Sequence, residues 1–236
     1  ADLGFANEDL NRWRTMTKQP YGIVLVTGPT GSGKTTTLYS TLRELATQEV
    51  NVSTVEDPIE MIEPAFNQMQ VQNNIDLGFA DGLKALMRQD PDIIMVGEIR
   101  DLETAQIAVQ ASLTGHLVLA TLHTNDAPSA VTRLVDIGVK PYLVATSLRA
   151  ALAQRLVRKI CPSCRERYEP SLREIHAVGL DPANARAATF MRGNGCPECH
   201  DQGFRGRIGV FELFNVNEEV ERLIYSNGTS AQLRSL

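Results

Sequence analysis

The stretch that most constrains this chain runs from Gly22 to Thr37, Gly-Ile-Val-Leu-Val-Thr-Gly-Pro-Thr-Gly-Ser-Gly-Lys-Thr-Thr-Thr. It reads as a buried strand over Ile23 to Val26, a glycine-rich turn and the start of a helix. The run Gly28, Pro29, Thr30, Gly31, Ser32, Gly33, Lys34, Thr35 has the spacing G-x-x-x-x-G-K-[ST] of a phosphate-binding P-loop, and Thr36 continues it into the helix. A triphosphate concentrates negative charge, so successive backbone N–H groups must curl around it, and side chains would obstruct that curl. The helix that follows aims its positive end at the same phosphates. Lys34 adds a point charge for the outer phosphates, and the Thr35 hydroxyl suits a bound Mg²⁺. The bland alternative is a glycine-rich turn that fits by chance. The apolar run before it and the helix-forming run Leu38 to Ala46 after it supply the context that the motif requires.

The acids that such a site needs are found further along. Val50 to Val55 reads as a second strand and ends in Glu56-Asp57-Pro58-Ile59-Glu60. Ligands bind at the carboxyl ends of strands in an α/β sheet, which places this acidic cluster beside the P-loop. A merely solvated acidic loop is the competing reading. Asp92 to Glu98 is a buried strand ending in an acid, with Gly97 where P-loop enzymes usually carry an Asp. Leu117 to Leu122 is a further strand framed by His116 and His123. A lone histidine at a strand end is more often structural, but two that bracket one strand near Thr121 and Thr124 raise the case for function.

The other segments fill in a strand–helix alternation. Residues 5–19 predict a short helix with Asn7 as its N-cap, stopped by Pro20. Phe66 to Val71 predicts an edge strand or hairpin, and Ala80 to Arg88 a helix. Asp101 caps a helix over Leu102 to Leu113, which Gly115 ends. Pro141 opens a helix predicted to run to about Arg158, with Leu148, Ala151, Leu152 and Leu156 on one face. The alternation over residues 22–124 implies a mainly parallel sheet flanked by helices. Gly203 to Gly209 reads as a turn before a short strand, Val210 to Phe214. Asn217 caps a helix from Glu218 to Tyr225, and Thr229 or Ser230 caps another.

All four cysteines fall in two Cys-x-x-Cys pairs, Cys161/Cys164 and Cys196/Cys199. Each pair presents two thiolates from a tight turn, and together they complete a tetrahedral S₄ zinc site, closed and therefore structural. Unrelated buried thiols or a thioredoxin-like redox pair are the alternatives. His200 is a weaker competitor as a ligand. The formal net charge of −5 speaks against nucleic acid as the main partner. The sequence contains no apolar run long enough to span a membrane. The start, Ala1-Asp2-Leu3-Gly4-Phe5, does not read as a signal peptide.

Five features in order carry a family resemblance. They are Gly28–Thr35, the acidic box Glu56 to Glu60, the run Asp90 to Asp101, the run Leu113 to Thr124, and the paired cysteine knuckles. Together they resemble the secretion ATPases of the type II secretion and type IV pilus assembly systems. The resemblance implies an α/β fold: a RecA-like P-loop ATPase core over 1–159, a tetracysteine zinc lobe over 160–205, and a C-terminal strand and helical segment over 206–236. It implies ATP or ADP, Mg²⁺ and Zn²⁺ as cofactors. It implies a homohexameric motor, cytoplasmic and peripheral at the inner membrane, that acts on an inner-membrane platform protein and accessory assembly proteins.

For single residues, the resemblance implies that Glu60 positions or deprotonates the attacking water. Glu98 acts on Mg²⁺ through water, and His123 and His116 contact the γ-phosphate region. Arg88 and Arg100 become intersubunit or phosphate contacts. The related pilus-retraction ATPases generally lack the cysteine knuckles, which points to an assembly or secretion motor. The abrupt start and stop suggest a fragment. Family motors draw further arginines from N-terminal domains, so a fragment is expected to bind nucleotide and hydrolyse it poorly. A DNA-translocating motor on the same core and a non-hydrolysing ATP-binding scaffold are the alternatives.

Overall fold

The computed structural model describes residues 3–185 and 187–236. It opens with helix α1 (Asn7–Thr17), then strand β1 (Gly22–Thr27), the P-loop and helix α2 (Lys34–Leu45). Strands β2 (Val52–Glu56) and β3 (Asn67–Gln70) precede α3 (Phe79–Leu86), β4 (Ile93–Val96), α4 (Leu102–Leu113) and β5 (Leu117–Leu122). Helices α5 (Ser129–Ile137) and α6 (Pro141–Ser147) lead into a long strand, β6 (Leu148–Ile160). Four short elements follow: β7 (Arg165–Arg167), α7 (Leu172–Ala177), α8 (Pro182–Ala185) and β8 (Met191–Gly193). The chain then forms β9 (Phe204–Asn215), α9 (Glu218–Tyr225) and α10 (Ser230–Arg234).

One sheet of seven strands in the order β3-β2-β4-β5-β1-β6-β9 organises the chain. Its first six strands pair in parallel. Parallel strands covered on both faces read as continuous apolar runs, and β1, β4 and β5 are buried at every position. Alternate residues then feed two cores. Ile23, Leu25, Ile94, Val96, Val118 and Ala120 face the one built with α3 to α6, α9 and α10. Val24, Val26, Ile93, Met95, Leu117 and Leu119 face the one built with α1 and α2. Each such buried Val, Ile or Leu contributes about 1.5–3 kcal/mol.

Two expectations fail here for one reason. The helix predicted over 141–158 ends at Ser147, and residues 148–160 form β6. Its Ala- and Leu-rich run favours helix locally, but β1 is a central strand whose second edge needs hydrogen-bonding partners in the interior. β6 supplies them, with Ile23 opposite Leu148 and Val24 opposite Ala150, so that Arg149 is an inserted bulge residue. The bulge turns Leu148, Ala151 and Ala153 to one core and Ala150 and Leu152 to the other. The turn expected over Gly203 to Gly209 is instead mostly part of β9, which covers the outer edge of β6. The bonds Val216 N–H to Arg149 C=O and Cys161 N–H to Gly203 C=O, at opposite ends, make this pair antiparallel. A smaller shift concerns α1: Asn7 is its first helical residue and Ala6 holds the N-cap position, without a side-chain cap.

The chain divides into two compact units, one comprising residues up to Arg155 together with Gly209–Leu236, the other Leu156–Ile208. β9 from Gly209 onward and the two C-terminal helices therefore count with the sheet unit: Val216, Val220, Ile224 and Leu233 are part of its core. Asn217 caps α9 as expected, and Thr229 caps α10 with Gln232 completing a capping box. The second unit holds a two-stranded antiparallel sheet, β7 with β8, and α7, whose N-cap Ser171 pairs reciprocally with Glu174. Among the described residues, no helix is long and apolar enough to cross a membrane.

Candidate active site and metal centre

The P-loop joins the carboxyl end of β1 to α2. Gly28 has φ 142, and a Cβ there would lie 2.3 Å from the Gln154 carbonyl oxygen on β6, so the close approach of two strands demands glycine. Gly33 stands at the N-cap of α2 in the left-handed region, with no side chain capping the helix. The first N–H groups of α2 thus point out of the helix end uncapped. The Ser32 hydroxyl is buried and has no hydrogen-bond partner among the described residues. Lys34 folds back so that its Nζ donates to the carbonyls of Gly28 (2.9 Å) and Pro29 (3.1 Å). Burial pushes its pKa down, while the Glu98 and Glu60 carboxylates act to raise it. A cradle of uncapped N–H groups with an orphan hydroxyl and a lysine fits a phosphate chain.

Three strand ends bring acids and a histidine to this cradle. The loop after β2 carries Glu60, whose Oε1 accepts from the Thr35 hydroxyl at 3.2 Å. The Thr35 hydroxyl, at the foot of the phosphate loop, is the kind of oxygen that suits Mg²⁺, and Glu60 stands beside it. Beyond β4, Glu98 is largely buried and pairs with Arg100, and its Oε2 lies 3.4 Å from His123 Nε2. That pairing holds the Arg100 pKa up. His123 follows β5, and its turn is locked to the P-loop strand. Thr27 Oγ1 donates to Leu122 C=O at 3.0 Å and accepts from Thr124 N–H at 2.8 Å.

The structure therefore gathers Lys34, Thr35, Glu60, Glu98 and His123, with Arg100 on Glu98. His116 is not among them. It precedes β5, and its backbone carbonyl accepts from Gly22 N–H at the start of β1, about 20 Å along the strands from the P-loop. Its ring stays with Ala111 and Thr114 at the end of α4. Arg88 lies in the turn between α3 and β4, also at the amino ends of the strands.

Within the acidic box the carboxylates divide by role. Glu56 is buried, and it accepts from Tyr39 Oη at 2.7 Å, Thr54 Oγ1 at 2.6 Å and Gln68 Nε2 at 3.2 Å. Its charge is spent inside the fold, whereas Glu60 faces the P-loop. The sequence offered no signal for this split. Tyr39 and Gln68 lie 17 and 12 residues from Glu56, on different elements.

The four cysteines form a second centre, in the unit Leu156–Ile208. Their sulfurs all lie within 4.8 Å of one another, and no pair is bonded. The distances are 3.9 Å for Cys161–Cys196, 3.9 Å for Cys164–Cys199 and 3.7 Å for Cys196–Cys199. A tetrahedron with metal–sulfur bonds near 2.3 Å has edges of about 3.8 Å, so this cluster fits a single metal ion. Burial lifts the Cys164 thiol to about 12. Burial also works against the Cys199 thiolate, but N–H donors from Cys196 and Gly203 outweigh it and bring Cys199 to about 7.

The profile of the family described as "Type II/IV secretion system protein" matches residues 1–236. The chain is 54% identical over 233 residues to the type IV pilus assembly ATPase TfpB of Acinetobacter baylyi, covering 99% of this chain and 40% of that protein. It is 53% identical over 224 residues to the type II secretion system ATPase E of Vibrio cholerae, covering 95% of this chain and 44% of that one. The chain thus spans less than half the length of these relatives. Among solved structures, the pilus retraction motor PilT with bound ADP aligns with a TM-score of 0.72 at 31% identity, over 99% of this chain and 57% of that one.

Proposed function

Because the chain belongs to the type II/IV secretion system protein family, we propose that it is the ATP-hydrolysing part of a hexameric motor for type II secretion or type IV pilus assembly. The motor works at the cytoplasmic face of the inner membrane, as a peripheral protein. It passes motion to an inner-membrane platform protein and its accessory assembly proteins. The relatives named for secretion and for pilus assembly support this reading.

The observation that carries hydrolysis is the convergence of Thr35, Glu60, Glu98 and Lys34 at adjoining strand ends. The P-loop N–H groups and Lys34 hold the triphosphate. Thr35 would hold Mg²⁺ directly and Glu98 through water, and the bound ion would supply positive charge against the phosphates. Glu60 orients a water and takes its proton, and His123, steered by Glu98, faces the terminal phosphate. The four cysteines hold one structural Zn²⁺ and leave no ligand position open. A Mg²⁺-dependent release of phosphate by the assembled protein, abolished by Lys34→Ala, tests the reading; wild-type turnover in that variant would overturn it.

A further inference from the structure

Tyr39 lies on α2, one helical turn past Thr35 and on the same face. Its ring is buried against Phe66, with centroids 5.8 Å apart. Its hydroxyl oxygen stands 2.7 Å from Glu56 Oε2 and 2.9 Å from the Met61 carbonyl oxygen. Gln68, on β3, places its amide nitrogen 2.8 Å from the Tyr39 hydroxyl, 2.9 Å from the Met61 carbonyl and 3.2 Å from Glu56 Oε1.

Counting protons sharpens what this cluster does. A phenol has one proton to give and an amide two. Two arrangements give Glu56, the Met61 carbonyl and the Tyr39 oxygen one of these protons each: in one, Tyr39 donates to Glu56, and Gln68 donates to Met61 C=O and to the Tyr39 oxygen. In the other, Tyr39 donates to Met61 C=O, and Gln68 donates to Glu56 and to the Tyr39 oxygen. The Met61 carbonyl is covered in both. A cluster that served only to neutralise a buried Glu56 would have no need to hold that carbonyl, since Thr54 already serves Oε1. Met61 is the residue directly after Glu60, so holding its carbonyl, in the peptide that joins Met61 to Ile62, restrains the backbone one residue beyond the Glu60 Cα.

We propose that Tyr39 and Gln68 are positioning residues: they hold the Met61 carbonyl, with buried Glu56 as anchor, and so set the Glu60 carboxylate against Thr35. The inference rests on Glu60 being the water-orienting carboxylate. The cluster links three elements. The P-loop helix supplies Tyr39, the edge strand β3 supplies Gln68, and the acidic loop is what they fasten.

Tyr39→Phe keeps the ring and its contact with Phe66, and Gln68→Met keeps the side-chain volume. In both variants, backbone hydrogen exchange across residues 57–63 should rise by roughly tenfold while that of α2 stays as in wild type. In the assembled protein kcat should fall by roughly tenfold or more, since small misplacements of a reacting group are costly. ADP affinity should stay within about twofold of wild type. In a Glu60→Gln background neither variant should lower the residual rate further. Unchanged exchange over 57–63 in Tyr39→Phe overturns the proposal, as does a wild-type kcat in that variant when Glu60→Gln alone is inactive. An equal loss in the Glu60→Gln background also overturns it. If Glu60→Gln turns over like wild type, the assignment of Glu60 fails instead, and the exchange measurement still decides whether Tyr39 and Gln68 hold the loop.

Discussion

The Thr35 hydroxyl donates to the Glu60 carboxylate at 3.2 Å, joining the first turn of the P-loop helix to a loop that follows a different strand. Neither residue owes its place to the other's neighbours in sequence. Thr35 is fixed by β1 and the glycines of the loop. Glu60 is fixed by β2, which is separated from β1 in the sheet by β4 and β5. The pair therefore reports on the sheet as a whole.

This pairing predicts a separation of binding from turnover. Glu60→Gln keeps a side chain of the same size that still accepts from Thr35, but it can no longer take a proton. Turnover should fall by roughly 10²-fold or more, the usual worth of a general base, with nucleotide affinity retained. Lys34→Ala should instead lose affinity, because the ammonium is the only side-chain cation placed within the loop itself. Phosphate release and ADP titration, measured on both variants, distinguish the two. Full turnover in Glu60→Gln would remove Glu60 from the mechanism.

The cysteine centre predicts a metal dependence with a definite sign. One equivalent of zinc should copurify with the reduced protein. A metal bound by thiolates competes with protons, so affinity weakens as pH falls. Without metal, Cys164 at about 12 holds its proton at neutral pH and Cys199 at about 7 is only partly ionised, so the metal must displace protons there and meets more of them as pH falls. Chelation at pH 6 should therefore strip zinc faster than at pH 8. The described hydrophobic core of the unit Leu156–Ile208 is small, with Ile175 and two of the cysteines as its buried members. Loss of zinc should expose that unit to protease and leave the sheet unit protected. Cys161→Ser should act in the same direction, read by metal analysis and proteolysis. A metal-free, protease-resistant unit would contradict the assignment.

Asp126, three residues beyond His123, ties the C-terminal helix to the site. Its Oδ2 lies 2.9 Å from Arg234 on α10, and its Oδ1 accepts from Ser129 N–H at 2.9 Å. Burial works to raise its pKa, but the bonds from Ser129 and the Arg234 charge outweigh that and hold it below the ordinary 3.8. A carboxylate lower in the folded than in the unfolded state stabilises fully above the unfolded value. That contribution is lost as pH falls through the folded one. Asp126→Asn should thus melt slightly below wild type at pH 7, by less than about 1 kcal/mol for so exposed a pair. The difference should close below pH 3.8. Melting curves across pH check the sign.

How far the chain could be read from sequence depends on whether a signal was local. The P-loop, the acids at 60 and 98 and the cysteine spacing each lie within one short stretch, and they announce their chemistry without knowledge of partners. Residues 148–160 do not. Their Leu and Ala content is that of a helix, and only the vacancy beside β1 makes them a strand. The same holds for Glu56 and Glu60, four positions apart and chemically alike. What separates them is Tyr39 and Gln68, which the fold brings to one and not to the other. His116 misleads in the opposite way. It stands near His123 in sequence, but the six-residue strand between them carries it to the far end of the sheet.

Gly97 explains why this site ends its β4 strand in Gly-Glu where P-loop enzymes usually place an Asp. Its N–H donates to the Val55 carbonyl at 2.8 Å, which pulls the backbone of β4 onto the end of β2. A Cβ at residue 97 would lie 3.2 Å from that carbonyl oxygen, 3.3 Å from Phe79 Cε1 and 3.4 Å from Glu56 Cα. Two of these neighbours are backbone and cannot swing aside. Gly97→Ala should therefore destabilise by about 1–3 kcal/mol, the usual cost of overpacking, and Gly97→Asp by more, because it adds a charge beside buried Glu56. The displacement would also reach the two acids, since Glu56 anchors the loop of Glu60 and Glu98 is the next residue. Turnover should fall in Gly97→Ala beyond what its lost stability explains at a temperature where the variant is folded. A variant that melts and turns over like wild type would mean that the approach of β4 to β2 has slack, and that the acid at residue 98 is placed by something other than the absence of a side chain at 97.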